Sequence, residues 1–409
     1  MHDVHPEQAE IHNRLRHDWF TACSLAGYQP VEVPPIGFAD TFTTGHNVAG
    51  GRTYQFTDRK GRQLALVSDS LPAILRLARG RDLPEQRLSH CTQVFRYERR
   101  PRRCFHHLGI LEVGDGAATL QQQRMATTRL ALTLTGFLRE RLSVTLVLFD
   151  PGIWRRLLAR ALSEKEANEA LNHLRHIPAE HRASALRSMG ADSRSVRVAE
   201  QLSLNRPVHD QVITGDDVLD ERIETCHAIS THLRRRGVNT TIDLADLHAS
   251  EFHDGPAFLV RPDGQERLLG DGGSYGAFAD GFLGVPTAVY SAVVGLERLA
   301  DLSKPAASAT PADIAVLIEP QDATILLAED ICTELRKRGI RVWDTLLSSP
   351  LRLHLRKVAR LHIPYSVIIG TRELEASHVV VRGRDGIHIP VQQAELAAWL
   401  LSRGTAGSP

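Results

Sequence analysis

The spacing of apolar residues along the chain changes period several times, and each change predicts an element. Ile11, Leu15, Phe20 and Leu25 recur broadly on one side between Glu7 and Ala26, which predicts an amphipathic helix ended by Gly27. Tyr28 to Val33 then alternates as a strand until Pro34 and Pro35, which cannot donate to a ladder. Arg52–Phe56 and Gln63–Val67 read as strands joined by the turn Asp58-Arg59-Lys60-Gly61, and Asp69–Ala78 as a helix with Ser68 or Asp69 for its N-cap. The stretch Val94–Gly114, VFRYERRPRRCFHHLGILEVG, alternates at both ends around an arginine-rich turn that closes on Phe105, the pattern of a hairpin.

Leu120–Leu142 reads as a helix and Val144–Phe149 as a strand, after which the chain becomes helix-rich as far as Gly237. Helices are predicted there near Trp154–Ala161, Glu164–His176, Ala179–Ser188 and Leu219–Arg236. Strands return at Asn239–Leu244 and Ala257–Val260. The stretch KPAASATP, Lys304 to Pro311, reads as a linker, and beyond it strands and helices alternate as in a small α/β domain with helices on both faces.

Composition narrows the class only a little. A chain of 409 residues with 42% hydrophobic and 24% charged residues describes a globular protein of two or three domains. A net charge of +1 means that any contact with a polyanion must come from local clusters such as Arg99, Arg100, Arg102 and Arg103. Five scattered cysteines without ligand spacing predict a reduced, cytoplasmic protein with no structural zinc. No apolar run approaches ~18 residues and the N-terminus is polar, so neither a membrane span nor a signal peptide is expected.

The chemistry gathers in the predicted hairpin. Arg96 and Glu98 are two apart and share a strand face, with more arginines and Phe105 close behind. A guanidinium, a carboxylate and an aromatic ring suit a flat base carrying phosphates, ATP before anything else.

This stretch resembles motif 2 of the class II aminoacyl-tRNA synthetases, in particular the F-R-x-E … F-H-Q run of histidyl-tRNA synthetase, and is similar to the matching segment of that enzyme's paralogue, the regulatory subunit of ATP phosphoribosyltransferase. The helix, Gly27-Tyr28, strand and proline at the start resemble motif 1, which in that family builds a homodimer interface. Val294-Gly295-Leu296-Glu297-Arg298-Leu299 matches motif 3 (G-x-E-R), and the C-terminal region resembles the anticodon-binding domain, including an I-I-G-x-x-E-L run ending at Glu373 and Leu374. The resemblance implies an α/β (α+β) chain. It comprises an antiparallel class II core over 1–150 and 238–303, a helical insertion over 151–237, a linker at 304–312 and an anticodon-binding-like α/β domain over 313–409.

By the same resemblance ATP and Mg2+ are the cofactors, and Arg96 and Arg298 are the catalytic residues. Arg96 bridges the carboxylate and the α-phosphate, while Arg298 holds the tail phosphates. Glu98 serves the adenine amino group or a metal, Arg103 a phosphate, Phe105 stacks on adenine, and Glu297 accompanies Arg298 at the nucleotide. No resident metal site is expected.

The amino-acid side departs from the family. Its R-P-E-G-T run reads Val67-Ser68-Asp69-Ser70-Leu71 here, keeping only the acid as Asp69. His107 replaces the glutamine of F-H-Q. Leu111 stands where the family's ammonium-binding glutamate would be, with Glu112 one residue on and so on the opposite strand face. ADLHASEFHDG replaces the R-G-L-D-Y-Y signature, placing His248 at its arginine, Glu251 at its aspartate and Phe252 at its first tyrosine. Gly272 and Gly273, in GDGGSY, belong to a counterpart of G-G-R-Y-D, where glycine permits close approach to a ligand or a tight turn.

Histidine is therefore not expected to be activated. The motif 2 turn, six residues between Glu98 and Phe105, puts tRNA charging in doubt. Two readings stand: a ligase that adenylates another small amino or carboxylic acid for an amine, carrier protein or tRNA, or a non-catalytic regulator that binds a partner enzyme.

Overall fold

The structure, a computed structural model, describes residues 3–43, 52–79, 85–97, 102–203, 214–303 and 310–403. Glu98, Arg99, Arg100 and most of the expected linker lie outside the described residues. The chain forms two compact units, Met1–Lys304 and Pro305–Pro409.

The first unit opens with helix α1 (Pro6–Leu25). Its buried stripe is His12, Leu15, Trp19 and Cys23, at steps of three and four, and Leu25 is 87% exposed. Leu25 lies two residues past Cys23, roughly 200° around the helix, so the apolar face expected from the sequence is rotated onto the Trp19 side. Trp19 fixes that rotation by donating its indole N–H to the His90 carbonyl at 3.3 Å. The strand expected from Tyr28 to Val33 contracts to β1 (Gln29–Pro30), because Pro30, Pro34 and Pro35 bring no backbone donors. β2 (Ile36–Phe38), β3 (Gln55–Thr57) and β4 (Gln63–Leu66) make a small antiparallel sheet in the order β2-β4-β3, with the four-residue α2 (Asp40–Thr43) between its first two strands.

α3 (Ser70–Arg79) follows, capped by Asp69, whose Oδ1 accepts from the Leu71 N–H at 3.0 Å. Then come the long hairpin strands β5 (Glu85–Phe95) and β6 (Cys104–Asp115), helix α4 (Leu120–Leu138) and β7 (Val144–Phe149). Among the described residues the insertion holds five helices: α5 (Pro151–Leu158), α6 (Glu164–Leu174), α7 (Ala179–Ser188), α8 (Ser193–Ser203) and α9 (Asp217–Arg235). They enclose their own core around Trp154, Leu171, Leu186 and Ile223. The unforeseen one, α8, buries Val196, Ala199 and Leu202 at helical spacing among serines and arginines. β8 (Asn239–Ile242), β9 (Ala257–Pro262), β10 (Gly270–Ser274), α10 (Gly276–Leu283), β11 (Thr287–Gly295) and α11 (Leu296–Leu302) complete the unit.

Eight strands form the main sheet in the order β1-β5-β6-β11-β10-β9-β7-β8, antiparallel except for the outermost pair on each side. One face is covered by α1, α4 and α11 over a core that includes Trp19, Leu108, Ile110 and Phe258. The other face carries α3 and α10 over Leu71, Ile74, Leu111, Phe278 and Val289. β6 shows why the two faces differ: Leu108, Ile110 and Glu112 point to the first, His107 and Leu111 to the second. Glu112 is indeed opposite Leu111. It is buried against α1 and α4, where Tyr28 donates to it at 2.5 Å and Arg129 grips both its oxygens.

The second unit is a five-stranded mixed sheet, order β13-β12-β14-β15-β16. It is built from β12 (Ile314–Ile318), β13 (Val342–Leu346), β14 (Tyr365–Ile369), β15 (His378–Gly383) and β16 (His388–Gln392). α12 (Asp322–Lys337) and α15 (Leu396–Ser402) pack on one face, α13 (Leu351–Arg360) on the other, and the short α14 (Thr371–Glu375) follows β14. Among the described residues no helix is long and apolar enough to cross a membrane.

The Glu112 cluster gives a stability test. Arg129→Ala leaves a carboxylate buried at 3% exposure without its cation, and urea unfolding is expected to show a loss of about 3–5 kcal/mol. A loss within experimental error of zero contradicts the role given to this pair.

Candidate active site

A cleft of about 570 Å³ opens on the α3 side of the main sheet, between the β5–β6 hairpin, the strands β10 and β11, and the loop from β8 to β9. Its size suits a small-molecule ligand. One wall is built by the residues around the start of α3. The Arg96 guanidinium donates from Nε to the Ser68 carbonyl at 2.8 Å and from a terminal nitrogen to Asp69 Oδ2 at 2.8 Å. It also lies 5.6 Å above the Phe105 ring. Asp69 thus does two jobs at once, capping α3 and orienting Arg96. Two of the five N–H donors of Arg96 are used by these bonds. Arg52 lines the same cleft.

His107 sits on the floor with Nδ1 3.1 Å from the Ser70 hydroxyl. Burial, reinforced by the nearby Arg96 charge, pulls its pKa well below the ordinary imidazole value, so it is neutral at pH 7. It is a hydrogen-bonding group there, as the glutamine it replaces would be.

The opposite wall carries a second set of charges. Asp271, on β10, accepts from the Tyr275 hydroxyl at 3.2 Å, and its other oxygen is 3.7 Å from His248 Nε2. Burial works against its charge, but His248, His253 and the Tyr275 hydroxyl outweigh burial and lower its pKa to about 2. The interaction with Asp271 in turn raises the pKa of His248 above the ordinary value. His248 sits on the β8–β9 loop, where its own N–H bonds Asp246 at 2.7 Å and Ala249 takes a left-handed φ of 47°.

That loop is held by arginines of the insertion. Arg182 donates to the Ala245 carbonyl, Arg155 reaches the Ser250 carbonyl at 3.1 Å, and Arg175 pairs with Glu251. The insertion therefore shapes the cleft, although its helical pattern alone carried no sign of this. Arg52, Arg175, Arg182, Asp271 and Tyr275 line the cleft, and sequence reasoning gave none of them a role. For Asp271 a signal existed: a lone acid among glycines on a strand points away from the face where its neighbours must be small.

The expected site residues fall into two groups. Arg96, Asp69, His107, His248 and Phe252 come together around the cleft. Arg103 is exposed beside the hairpin turn with its guanidinium 5.1 Å above Tyr97, and Phe105 lies beneath Arg96. Arg298 is partly buried in the first turn of α11, next to Gly295 of the cleft floor.

Three expectations meet a different environment. Glu297 turns to the opposite face of the sheet, where the His106 N–H donates at 2.8 Å and His106 Nδ1 lies 2.6 Å away. It orients α11 and does not face the cleft. Gly272 packs into the core, where a Cβ would sit 2.6 Å from Ala292 Cβ and 2.7 Å from Phe258. At Gly273 a Cβ would meet the Ala257 backbone at 2.6 Å. These glycines let strands approach strands, because they sit in mid-sheet and not at a turn. Leu111 is buried at 1% beneath α3 and α10 and offers nothing polar to a ligand.

Among the described residues no three His, Cys, Asp or Glu side chains converge on a metal position. Mg2+ at this cleft would be held chiefly by nucleotide phosphates with one or two side chains, the usual arrangement for that ion.

An antiparallel sheet with a cation-bearing cleft on one face, followed by a separate small α/β unit, is the architecture of a class II aminoacyl-tRNA synthetase. The sequence model described as histidyl-tRNA synthetase matches residues 1–290, and that of the anticodon binding domain matches 313–403. The chain belongs to the histidyl-tRNA synthetase family. Its relatives include a histidine–tRNA ligase of Pyrobaculum arsenaticum, 24% identical with 96% of both chains covered. An ATP phosphoribosyltransferase regulatory subunit of Moorella thermoacetica is 34% identical over 164 residues, which span 38% of this chain and 42% of that protein. The fold matches the crystal structure of histidyl-tRNA synthetase from a Nostoc species with a TM-score of 0.76 at 17% identity, covering 98% and 97% of the two chains.

The Asp271–His248 pair makes a titration prediction. A raised folded-state pKa means that the pair's contribution is full below the unfolded value and fades as pH rises through the folded value. NMR titration should find His248 above the ordinary imidazole value, moving down toward that value in Asp271→Asn. An unshifted His248 in the parent protein contradicts the pairing.

Proposed function

We propose that the chain is an ATP-dependent ligase of the class II synthetase type, which adenylates an amino or carboxylic acid other than histidine and passes it to an amine, carrier protein or tRNA. The observation that carries this reading is Arg96, rooted by Ser68 and Asp69 and held at the wall of a ligand-sized cleft. Adenylation joins a carboxylate oxygen to the α-phosphorus of ATP while the bond to pyrophosphate breaks. Two anions meet, so fixed cations do most of the work. Arg96 bridges them. Arg298, on α11, is assigned the tail phosphates by the family resemblance, and His106 fixes the orientation of its helix by gripping Glu297. Bound Mg2+ supplies further charge neutralisation of the phosphates. Glu98, Arg103 and Phe105 are assigned to the nucleotide by the family resemblance.

Loss of histidine recognition follows from Leu111, His248 and Phe252 standing where the family's readers stand. The self-association proposed for this chain uses the motif 1 region, and the small sheet that follows it leaves Ile36, Phe38 and Phe56 42%, 53% and 39% exposed. Arg352, Arg356, Lys357 and Arg360 are exposed on α13 and offer RNA or an acidic partner a basic face. We place the protein in the cytoplasm.

A second reading is favoured by the Arg96–Asp69 pair itself, which neutralises the cation that catalysis needs, and by the 34% identical regulatory subunit. On that reading the chain is a catalytically inactive partner of ATP phosphoribosyltransferase.

An ATP–pyrophosphate exchange screen across acids other than histidine separates the two. Exchange with at least one acid is expected, reduced about 10²–10³-fold by Arg96→Ala and substantially by Arg298→Ala. No exchange with any acid, together with copurification of a phosphoribosyltransferase, replaces the ligase with the regulator.

A further inference from the structure

We infer that Asp271 is the subsite for a cationic nitrogen of the ligand, so that the cleft selects an acid that also carries an ammonium group. The inference deepens the ligase reading and rests on it only for what happens to the carboxylate afterwards. It begins with a vacancy in recognition. The resemblance puts the ammonium-binding carboxylate at Leu111, which is apolar and buried. The remaining acid on that wall, Asp69, is spent on Arg96 and on the N-terminus of α3. An ammonium entering the cleft thus finds no ready acceptor at either place.

Strand register shows where the missing charge has gone. Leu111, Ser291 and Gly273 are aligned across β6, β11 and β10, and the adjacent row on the same face is Gly109, Val293 and Asp271. Asp271 therefore faces the same side of the sheet as Leu111 does. It lies two strands over, roughly 10 Å sideways, and one pair nearer His107. The rest of its row is silent toward a ligand: Gly109 has no side chain and Val293 is apolar. Gly270 before it and Gly272 after it point to the other face, where a Cβ would collide with the Val293 carbonyl or meet Phe258 at 2.7 Å. The acid is thus the one side chain that this end of β10 presents to the cleft.

Its bonding leaves room for a ligand. Oδ1 is held by Tyr275 at 3.2 Å, which fixes the carboxylate's orientation. Among the described residues Oδ2 has only His248, at 3.7 Å, beyond hydrogen-bond length, on a side chain 44% exposed that is able to turn away. A half-buried carboxylate kept ionised, with one oxygen turned to a ligand-sized cavity, suits an alkylammonium. The arginine wall with Arg96 and Arg52 takes the acid end of the same molecule. A cationic nitrogen can be an α-ammonium or a side-chain ammonium, and matched probes distinguish the two.

The test is calorimetric titration of the full chain with four probes of equal carbon skeleton: L-lysine, L-norleucine, 6-aminohexanoate and hexanoate. Lysine and at least one singly aminated probe are expected to bind more tightly than hexanoate. If norleucine shares the preference, the α-ammonium is read; if 6-aminohexanoate shares it, the side-chain ammonium is read. Asp271→Asn should weaken those probes roughly 10- to 100-fold and leave hexanoate unchanged. Hexanoate binding as tightly as the aminated probes, or a preference undiminished in a folded Asp271→Asn protein, overturns the inference. Pyrophosphate exchange separates the two claims. Asp271-dependent binding without exchange removes the ligase and keeps the subsite; exchange as fast with hexanoate as with lysine does the reverse.

Discussion

A strand can show each side chain to only one side of its sheet, and that constraint on β6 decides what this protein can recognise. His107 and Leu111 face the cleft side, while His106 and Glu112 face the helices behind. A carboxylate one residue away from the ligand position is therefore as remote from the ligand as the thickness of the sheet allows. Glu112 does not serve as a displaced reader. It is the anchor of a buried cluster with Tyr28 and Arg129 that ties α1 and α4 to the sheet. His106 and Glu297 do the same for α11. The rear face thus fixes the helix that carries Arg298, and the front face is left to chemistry.

On the front face, charge is arranged in pairs from different elements: Arg96 with Asp69, His248 with Asp271, Arg175 with Glu251. Each pair spans a junction, so the shape of the cleft depends on the contacts between core, loop and insertion. Partly buried pairs of this kind are poor sources of net stability but strongly favour one arrangement over its alternatives. The Arg96–Asp69 pair is also why two readings of function meet in one cleft. A ligand carboxylate or phosphate must share Arg96 with an acid that already holds it, whereas the three donors left on the guanidinium are enough for it to do so.

Much of the fold was legible because the signals were local. The β5–β6 hairpin, the Asp58–Gly61 turn, the Asp69 cap and the position of Glu112 all follow from period, turn chemistry and alternation. What escaped was set by tertiary structure. The buried face of α1 was decided by Trp19 meeting the His90 carbonyl, and the β1 strand was cut short at Pro30, which the alternation did not weigh. At the site, Arg96, His107 and His248 could be named from motifs. Arg175 and Arg182 could not, since nothing in a helical insertion says which side of it will meet a distant loop. Gly272 and Glu297 lie away from the cleft in the structure, since a motif records which residues recur together but not which face of the sheet each serves.

We propose that this cleft keeps the family's architecture for joining a carboxylate to ATP and has lost its readers of histidine. The most direct measurement is ATP–pyrophosphate exchange with L-histidine as the only acid, at enzyme concentrations high enough to see weak turnover. The account predicts no exchange above the rate without histidine. Histidine-dependent exchange would mean that Leu111, His248 and Phe252 still form a histidine pocket, and would contradict it.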